Sequence, residues 1–170
     1  MTVHPVDVGL LVGRVAVGVV MLAHGRNHIF GGGKIAGTAR WFESLGMKPG
    51  WLHAWTASLT ELGVGVLLLL GLLTPLAGAG VVGVLLVAWI TNHRKNGFFI
   101  FRPGEGYEYV MTLVAVGLLF CGTGGGTLSL DHAVGIFGPP TWAEALGSAA
   151  LGVAGSIGLL IVFWRPAPKA

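Results

Sequence analysis

Long runs of apolar residues constrain the fold of this chain more than any other feature. A helix needs about 20 consecutive apolar residues to cross the hydrocarbon core of a bilayer. Thr74 and Pro75 predict a tight turn between two of the runs, and Pro139 and Pro140 precede the last one. We predict an all-α integral membrane protein whose fourth span is the shortest. Five stretches reach or approach the required length: 8–30, 51–73, 76–92, 107 to the glycine-rich break at 122–126, and 142–164.

The composition agrees with a membrane protein. Of the 170 residues, 54% are hydrophobic and 10% are charged, whereas soluble proteins carry about 25% charged residues. A water-facing surface of this size needs more charge, so the composition argues against a soluble enzyme and, despite the net charge of +3, against a nucleic-acid-binding domain. Cys121 is the only cysteine, so the chain can form neither an internal disulfide nor a CxxC redox pair.

The segment between the first two spans is too short and too charged to cross a membrane. Residues 35–45 combine apolar side chains such as Trp41 and Phe42 with charged ones, and Gly46 follows. This pattern predicts a short amphipathic helix that lies in the membrane interface and ends at the glycine.

The positions of the basic residues predict the orientation of the chain, because cytoplasmic loops near membrane spans are enriched in Lys and Arg. The N-terminus, the turn at Thr74 and the loop 122–141 contain no Lys or Arg. We therefore predict an N-terminus outside the cell and a C-terminus in the cytoplasm. The basic residues that follow the first, third and fifth spans are Arg26, Lys34, Arg40, Lys48, Arg94, Lys95, Arg102, Arg165 and Lys169.

Ionisable side chains within the predicted spans are candidate functional residues, because each one costs a few kcal/mol in a bilayer. Helical side chains lean towards the N-terminus of their own helix, so Glu61 on the second span and His24 on the first lean towards each other. The Arg14 side chain leans away from Glu61, so it would contact Glu61 only if this long side chain bent back. The five residues of this kind are Arg14, His24, Glu61, His93 and Glu108.

These polar groups have a structural and a functional interpretation. Polar contacts between helices stabilise membrane bundles by about 1 kcal/mol, so Glu61 and His24 can serve packing alone. Alternatively, the pair exchanges protons with a ligand, which suits quinone protonation or proton-coupled transport. A haem between His24 and His93 is a weaker alternative, because their estimated depths differ. The sequence predicts no metal site and no covalently attached cofactor.

Two further patterns concern ligand access and partners. Tyr107 belongs to an aromatic cluster near the cytoplasmic interface, where an aromatic belt is usual and the mouth of a ligand site is the alternative. Small residues form a stripe on the last span that suits docking of another helix, in this chain or in a partner. The stripe consists of Ser148, Gly152, Gly155 and Gly158.

Four sequence blocks resemble the DoxX family of small bacterial and archaeal membrane proteins. The resemblance runs from about residue 10 to residue 131, and the order and spacing of the blocks carry it. The blocks are LxxR at 11–14 with AHG at 23–25, WFESLG at 41–46, ELxxGxLLLLGLLTP at 61–75, and NGFF at 96–99 with GYEY at 106–109.

This resemblance implies a four-helix membrane core, which we assign to residues 1–131, and places the chain in a bacterial plasma membrane. Residues 132–170 then form a loop and an additional C-terminal transmembrane helix. The family includes proteins linked to thiosulfate:quinone oxidoreductase and to oxidative-stress complexes. The single Cys121 argues against a self-contained thiosulfate oxidase. The chain matches the polar pattern of the family at the five ionisable positions within the predicted spans.

From these observations we predict a quinone-facing membrane subunit of a redox assembly, with Glu61 and His24 as the proton-handling pair. Such a chain would be a subunit of a quinone-linked oxidoreductase. Arg14, His93, Glu108 and Tyr107 are the candidate substrate-binding residues. The expected partners are the lipid bilayer and other membrane subunits, not nucleic acid. Two alternatives stay open: a non-catalytic accessory subunit that docks through the last span, and a small-solute transporter.

Overall fold

The computed structural model describes residues 2–137 and 140–166, and these ranges contain seven α-helices and no β-strand. This confirms the all-α fold class. A π-helical turn at Trp89–His93 and a 3₁₀ turn at Arg94–Asn96 extend the fourth helix. Pro139 and Lys169, which entered the predictions above, lie outside the described residues. The helices are α1 (Pro5–Phe30), α2 (Lys34–Ser44), α3 (Gly50–Leu70), α4 (Thr74–Ala88), α5 (Glu108–Thr123), α6 (Leu130–Val134) and α7 (Trp142–Phe163).

Four helices within the described ranges are long and apolar enough to cross a membrane: α1, α3, α4 with its extension to Asn96, and α7. The apolar helix α5 has 16 residues. It measures about 24 Å, compared with about 30 Å for a bilayer core, which confirms that the fourth apolar stretch is the shortest. It runs antiparallel to α4, because Gly78 packs against Cys121 at one end while Trp89 stacks on Tyr107 at the other.

The helix termini follow local sequence signals. Pro5 starts α1, and the Asp7 carboxylate accepts a hydrogen bond of 2.8 Å from the backbone N–H of His4. Thr141 and Glu144 form a capping box at the start of α7. At the end of α3, Gly71 adopts a left-handed conformation with φ of 64°, which glycine tolerates best.

Close helix packing depends on glycines where α1 crosses α3. A Cβ atom at Gly18 would lie 3.0 Å from the backbone oxygen of Gly65, and one at Gly25 would lie 2.9 Å from that of Ser58. The main apolar core lies beside this crossing and includes Met21 of α1. Helix α4 then packs against α3, α5 and α7, so it is the central helix of the bundle.

The two ends of the bundle differ in charge. At one end, Asp7 accepts a hydrogen bond from Thr127 N, and Asp131 accepts two from Leu73 N and Thr74 N. These bonds join segments that carry no Lys or Arg. At the other end, the described basic residues lie in the last turns of α1, in α2, in the 3₁₀ turn after α4 and in the loops. The grouping agrees with the charge pattern of the sequence, while the side of the membrane that each end faces stays a prediction.

The basic end is closed by contacts between the loop after α2 and the end of α7. Lys48 N donates to Phe163 O at 3.2 Å, and Arg165 N donates to Gly46 O at 2.7 Å. The Arg94 guanidinium lies 5.7 Å from the centre of the Trp164 ring. These contacts hold α2, α4 and α7 together at one level of the bundle.

Candidate functional site

A cavity of about 400 Å³ lies beside α4, between α3 and α7. Both α3 and α7 pack on α4, and small residues such as Gly80 and Gly83 of α4 leave space between them. Helix α2 and the end of α1 border the cavity on the basic side. Most of its lining is apolar. The carboxyl, imidazole and hydroxyl side chains that line it are His28, His53, Thr56, Thr60, Glu61, Thr91 and Ser156.

Exposed residues of α3 and α7 border the cavity. Among its lining residues, Thr56 of α3 and Leu151 and Gly155 of α7 are exposed. Both helices are long and apolar enough to cross a membrane, so we expect this side of the cavity to face the lipid.

Glu61 is the most deeply placed ionisable group of the cavity. Its position on α3 is about 16 Å from the start of the helix, near the middle of the span. The residue is only 5% exposed. Its Oε2 atom lies 3.4 Å from Nε2 of His28, yet it accepts no hydrogen bond from any residue in the described ranges. The site therefore holds an ionisable pair with unused hydrogen-bonding capacity.

The predicted contact between Glu61 and His24 is wrong, because His28 takes the place of His24. The His24 side chain is exposed, its Nδ1 donates to Val20 O at 3.0 Å, and its ring stacks on Tyr109 at 6.3 Å. Each helical residue turns by about 100°, so packing of Gly25 against α3 directs His24 sideways. His28 lies one turn further along and leans back towards Glu61.

His53 also lines the cavity, although it was not among the predicted site residues. It lies in the first turn of α3 and is 3% exposed. Its ring centre lies 6.1 Å from that of Phe42 and 5.1 Å from that of Phe163. A histidine inside the apolar stretch 51–73 was the available signal. His28, inside the apolar stretch 8–30, was likewise not among the predicted site residues.

Arg14 lies outside the cavity, towards the end of the bundle that is poor in basic residues. It is fully buried, and its guanidinium donates to Leu68 O at 3.0 Å and to Leu128 O at 2.5 Å. Its Nε atom has no partner among the described residues. Arg14 thus connects the end of α3 to the loop before α6, and it does not contact Glu61.

The other three predicted binding residues lie together at the basic end, but they do not line the cavity. His93 Nδ1 donates to Glu105 O at 2.9 Å, and Oε2 of Glu108 accepts from Ile100 N at 3.3 Å. The Tyr107 ring stacks on Trp89 at 5.5 Å. These contacts hold the loop between α4 and α5. The predicted site residues therefore fall into separate parts of the molecule.

The small-residue stripe of α7 is divided between two surroundings. Ser148 and Gly152 are buried, and a Cβ atom at Gly152 would lie 2.5 Å from Ala79 O of α4. Gly155 and Gly158 are exposed, and a Cβ atom at either would have no neighbour within 4 Å. The first part of the stripe therefore packs within the chain. Across residues 2–137 and 140–166, no three His, Cys, Asp or Glu side chains are grouped as metal ligands would be.

Comparison with known protein families gives a match over half of the chain. The family model described as DoxX matches residues 9–94. The matched range begins within α1 and ends at Arg94, the first residue of the 3₁₀ turn after α4. It includes His28, His53 and Glu61. No curated protein and no solved structure matches the chain.

Proposed function

The chain belongs to the DoxX family of membrane proteins, and on that basis we propose that it is a quinone-facing subunit of a membrane redox assembly. In this proposal the cavity beside α4 holds the quinone ring, and Glu61 and His28 exchange protons with a ring oxygen. The observation that carries the proposal is the buried Glu61 oxygen, which lies beside His28 in an apolar cavity and receives no hydrogen bond from the described residues.

The chemistry of the cavity fits such a ligand. A buried polar atom without a partner costs about 1–3 kcal/mol. A ligand hydroxyl removes that cost by donating a hydrogen bond to the Glu61 carboxylate, and a ligand carbonyl removes it by accepting one from the protonated carboxyl. A volume of about 400 Å³ lies within the usual range for small-molecule sites. The apolar lining suits a ring and the start of an isoprenoid tail, while the opening at Thr56 and Gly155 lets the tail continue into the lipid.

Reduction of a quinone to a quinol adds two electrons and two protons to the ring. Glu61 in its protonated form donates a hydrogen bond to a ring oxygen and can deliver a proton along it. His28, 3.4 Å away, then supplies a proton to the carboxylate. The two electrons, and the proton for the other ring oxygen, come from a donor subunit of the assembly. Oxidation of a quinol uses the same two groups in the opposite direction.

We propose the orientation expected from the basic residues, with the basic end of the bundle in the cytoplasm of a bacterium. His28 lies two residues before the end of α1, and therefore on the cytoplasmic side of Glu61. The proton path from His28 to Glu61 thus begins on that side. For the donor subunit we propose a contact at Gly158, where α7 is exposed and carries no side chain.

The test is quinone binding by the purified chain in lipid nanodiscs, measured as quenching of tryptophan fluorescence by decylubiquinone. Gly155→Phe places a ring at the cavity opening, where a Cβ atom has open space, and should weaken binding at least tenfold. Gly147→Phe is the matched control, since it adds the same ring to the same helix, also in open space, outside the cavity lining. Absence of saturable binding by the wild-type chain, or equal affinities for the two variants, would overturn the proposal.

A further inference from the structure

We propose that His53 is the second polar binding residue of the cavity, and that the ligand is a ring with oxygens on opposite sides, as in a para-quinone. This inference rests on the proposed function and makes it more specific. Glu61 and His28 would bind one oxygen of the ring, and Nε2 of His53 would bind the other. The ring would then lie along α3, with its tail directed to the opening between α3 and α7.

The first support is the unsatisfied nitrogen of His53. Its Nε2 atom is buried and has no hydrogen-bond partner among the described residues, although the residue lines the cavity. The imidazole is also held in place, because it lies between the rings of Phe42 and Phe163. A fixed, buried ring nitrogen without a partner is costly unless a bound molecule supplies one.

The second support is the spacing of the two polar groups. Glu61 and His53 are eight residues apart on one helix, which places their Cα atoms about 12 Å apart along its axis. Ala57 and Thr60, which lie between them, line the same cavity. A para-quinone with a carbonyl bond of about 1.23 Å on each side and a hydrogen bond of about 2.8 Å at each end needs about 11 Å. Because both side chains lean towards the N-terminus of α3, their polar atoms keep roughly the separation of the Cα atoms, and a ring of this length is compatible with it.

The third support is the chemistry of imidazole. A neutral histidine has one donor and one acceptor nitrogen, and its tautomer decides which nitrogen plays which role. Nε2 of His53 can therefore donate to the carbonyl oxygen of a quinone or accept from the hydroxyl of a quinol. Such a residue can bind the far oxygen in both redox states.

The test compares two ligands and three proteins in nanodiscs. The ligands are menadione, which has two opposite carbonyls, and 2-methyl-1-tetralone, which has one. The wild-type chain should bind menadione about tenfold more tightly than the ketone, as expected for one additional hydrogen bond. In His53→Phe, which keeps an aromatic ring between Phe42 and Phe163, the two ligands should bind equally. His53→Gln, which restores a polar group, should recover most of the preference.

The outcomes separate this inference from the function on which it rests. If the wild-type chain binds neither ligand, the proposed function itself fails. If menadione binds and His53→Phe keeps the full preference for it over the ketone, the role of His53 is wrong while the quinone site stands. Thermal unfolding of each variant in the same nanodiscs identifies loss of folding, and recovery in His53→Gln shows that the effect comes from the polar group.

Discussion

Asp131 should contribute more to stability than any other residue of the short helix α6. Its carboxylate accepts hydrogen bonds of 2.6 Å from Leu73 N and 2.8 Å from Thr74 N, at the start of α4. The residue is 3% exposed, and its charge also acts on the buried Arg14. Asp131 thus caps a membrane helix from a segment 57 residues later in the chain.

The size of the effect follows from these two bonds. A hydrogen bond to a charged group contributes about 1.5 kcal/mol, so Asp131→Ala should lower the free energy of unfolding by about 3 kcal/mol. Asp131→Asn keeps one acceptor oxygen without the charge and should cost about half as much. His132→Ala is the matched control, because the neighbouring His132 side chain is exposed and should contribute less than 0.5 kcal/mol.

The measurement is unfolding of the detergent-solubilised protein by increasing SDS, followed by tryptophan fluorescence and circular dichroism. The predicted order of stability is wild type and His132→Ala first, then Asp131→Asn, and then Asp131→Ala. If Asp131→Ala unfolds within 0.5 kcal/mol of wild type, the carboxylate does not hold the start of α4 and the account of this end of the bundle is wrong.

Two further predictions concern helix packing and orientation. Gly65→Leu should destabilise the protein by about 2 kcal/mol in the same assay, because a Cβ atom there would lie 2.6 Å from a leucine side chain of α1, whereas Gly63→Leu, with open space, should have little effect. Equal stability of these two variants would contradict the described crossing of α1 and α3. In a Cys121→Ser background, a membrane-impermeant maleimide applied to intact cells should label Ala133→Cys and not Gly32→Cys; the opposite pattern would reverse the proposed orientation.

The membrane helices were predictable because a bilayer sets a length and a composition that the sequence must meet. Residues 8–30 became α1 at Pro5–Phe30, and residues 142–164 became α7 at Trp142–Phe163, within a few residues at each end. Helix α2 was predictable because its amphipathic pattern is too charged to cross. Helix α6 was missed, since five residues carry little periodicity and tertiary contacts of Asp131 hold this segment.

The site was harder to predict because it depends on how each helix is rotated about its axis. The sequence indicated that Glu61 would meet a histidine of α1 at the middle of the bundle. The choice of His28 over His24 follows from the contact of Gly25 with Ser58, which no local pattern reveals. The cavity itself arises because α3 and α7 both dock on α4, although α7 is separated from α4 by α5 in the chain.

The cavity beside α4 should bind a quinone next to Glu61. This binding can be tested by photolabelling the chain in nanodiscs with an azido-substituted ubiquinone analogue, followed by mass spectrometry of the peptides. Labelling is expected within 53–61 of α3 or within 79–91 of α4 and its π-helical turn, and unlabelled decylubiquinone should compete for it. Labelling confined to the lipid-facing side of α1, or labelling that decylubiquinone does not reduce, would contradict it.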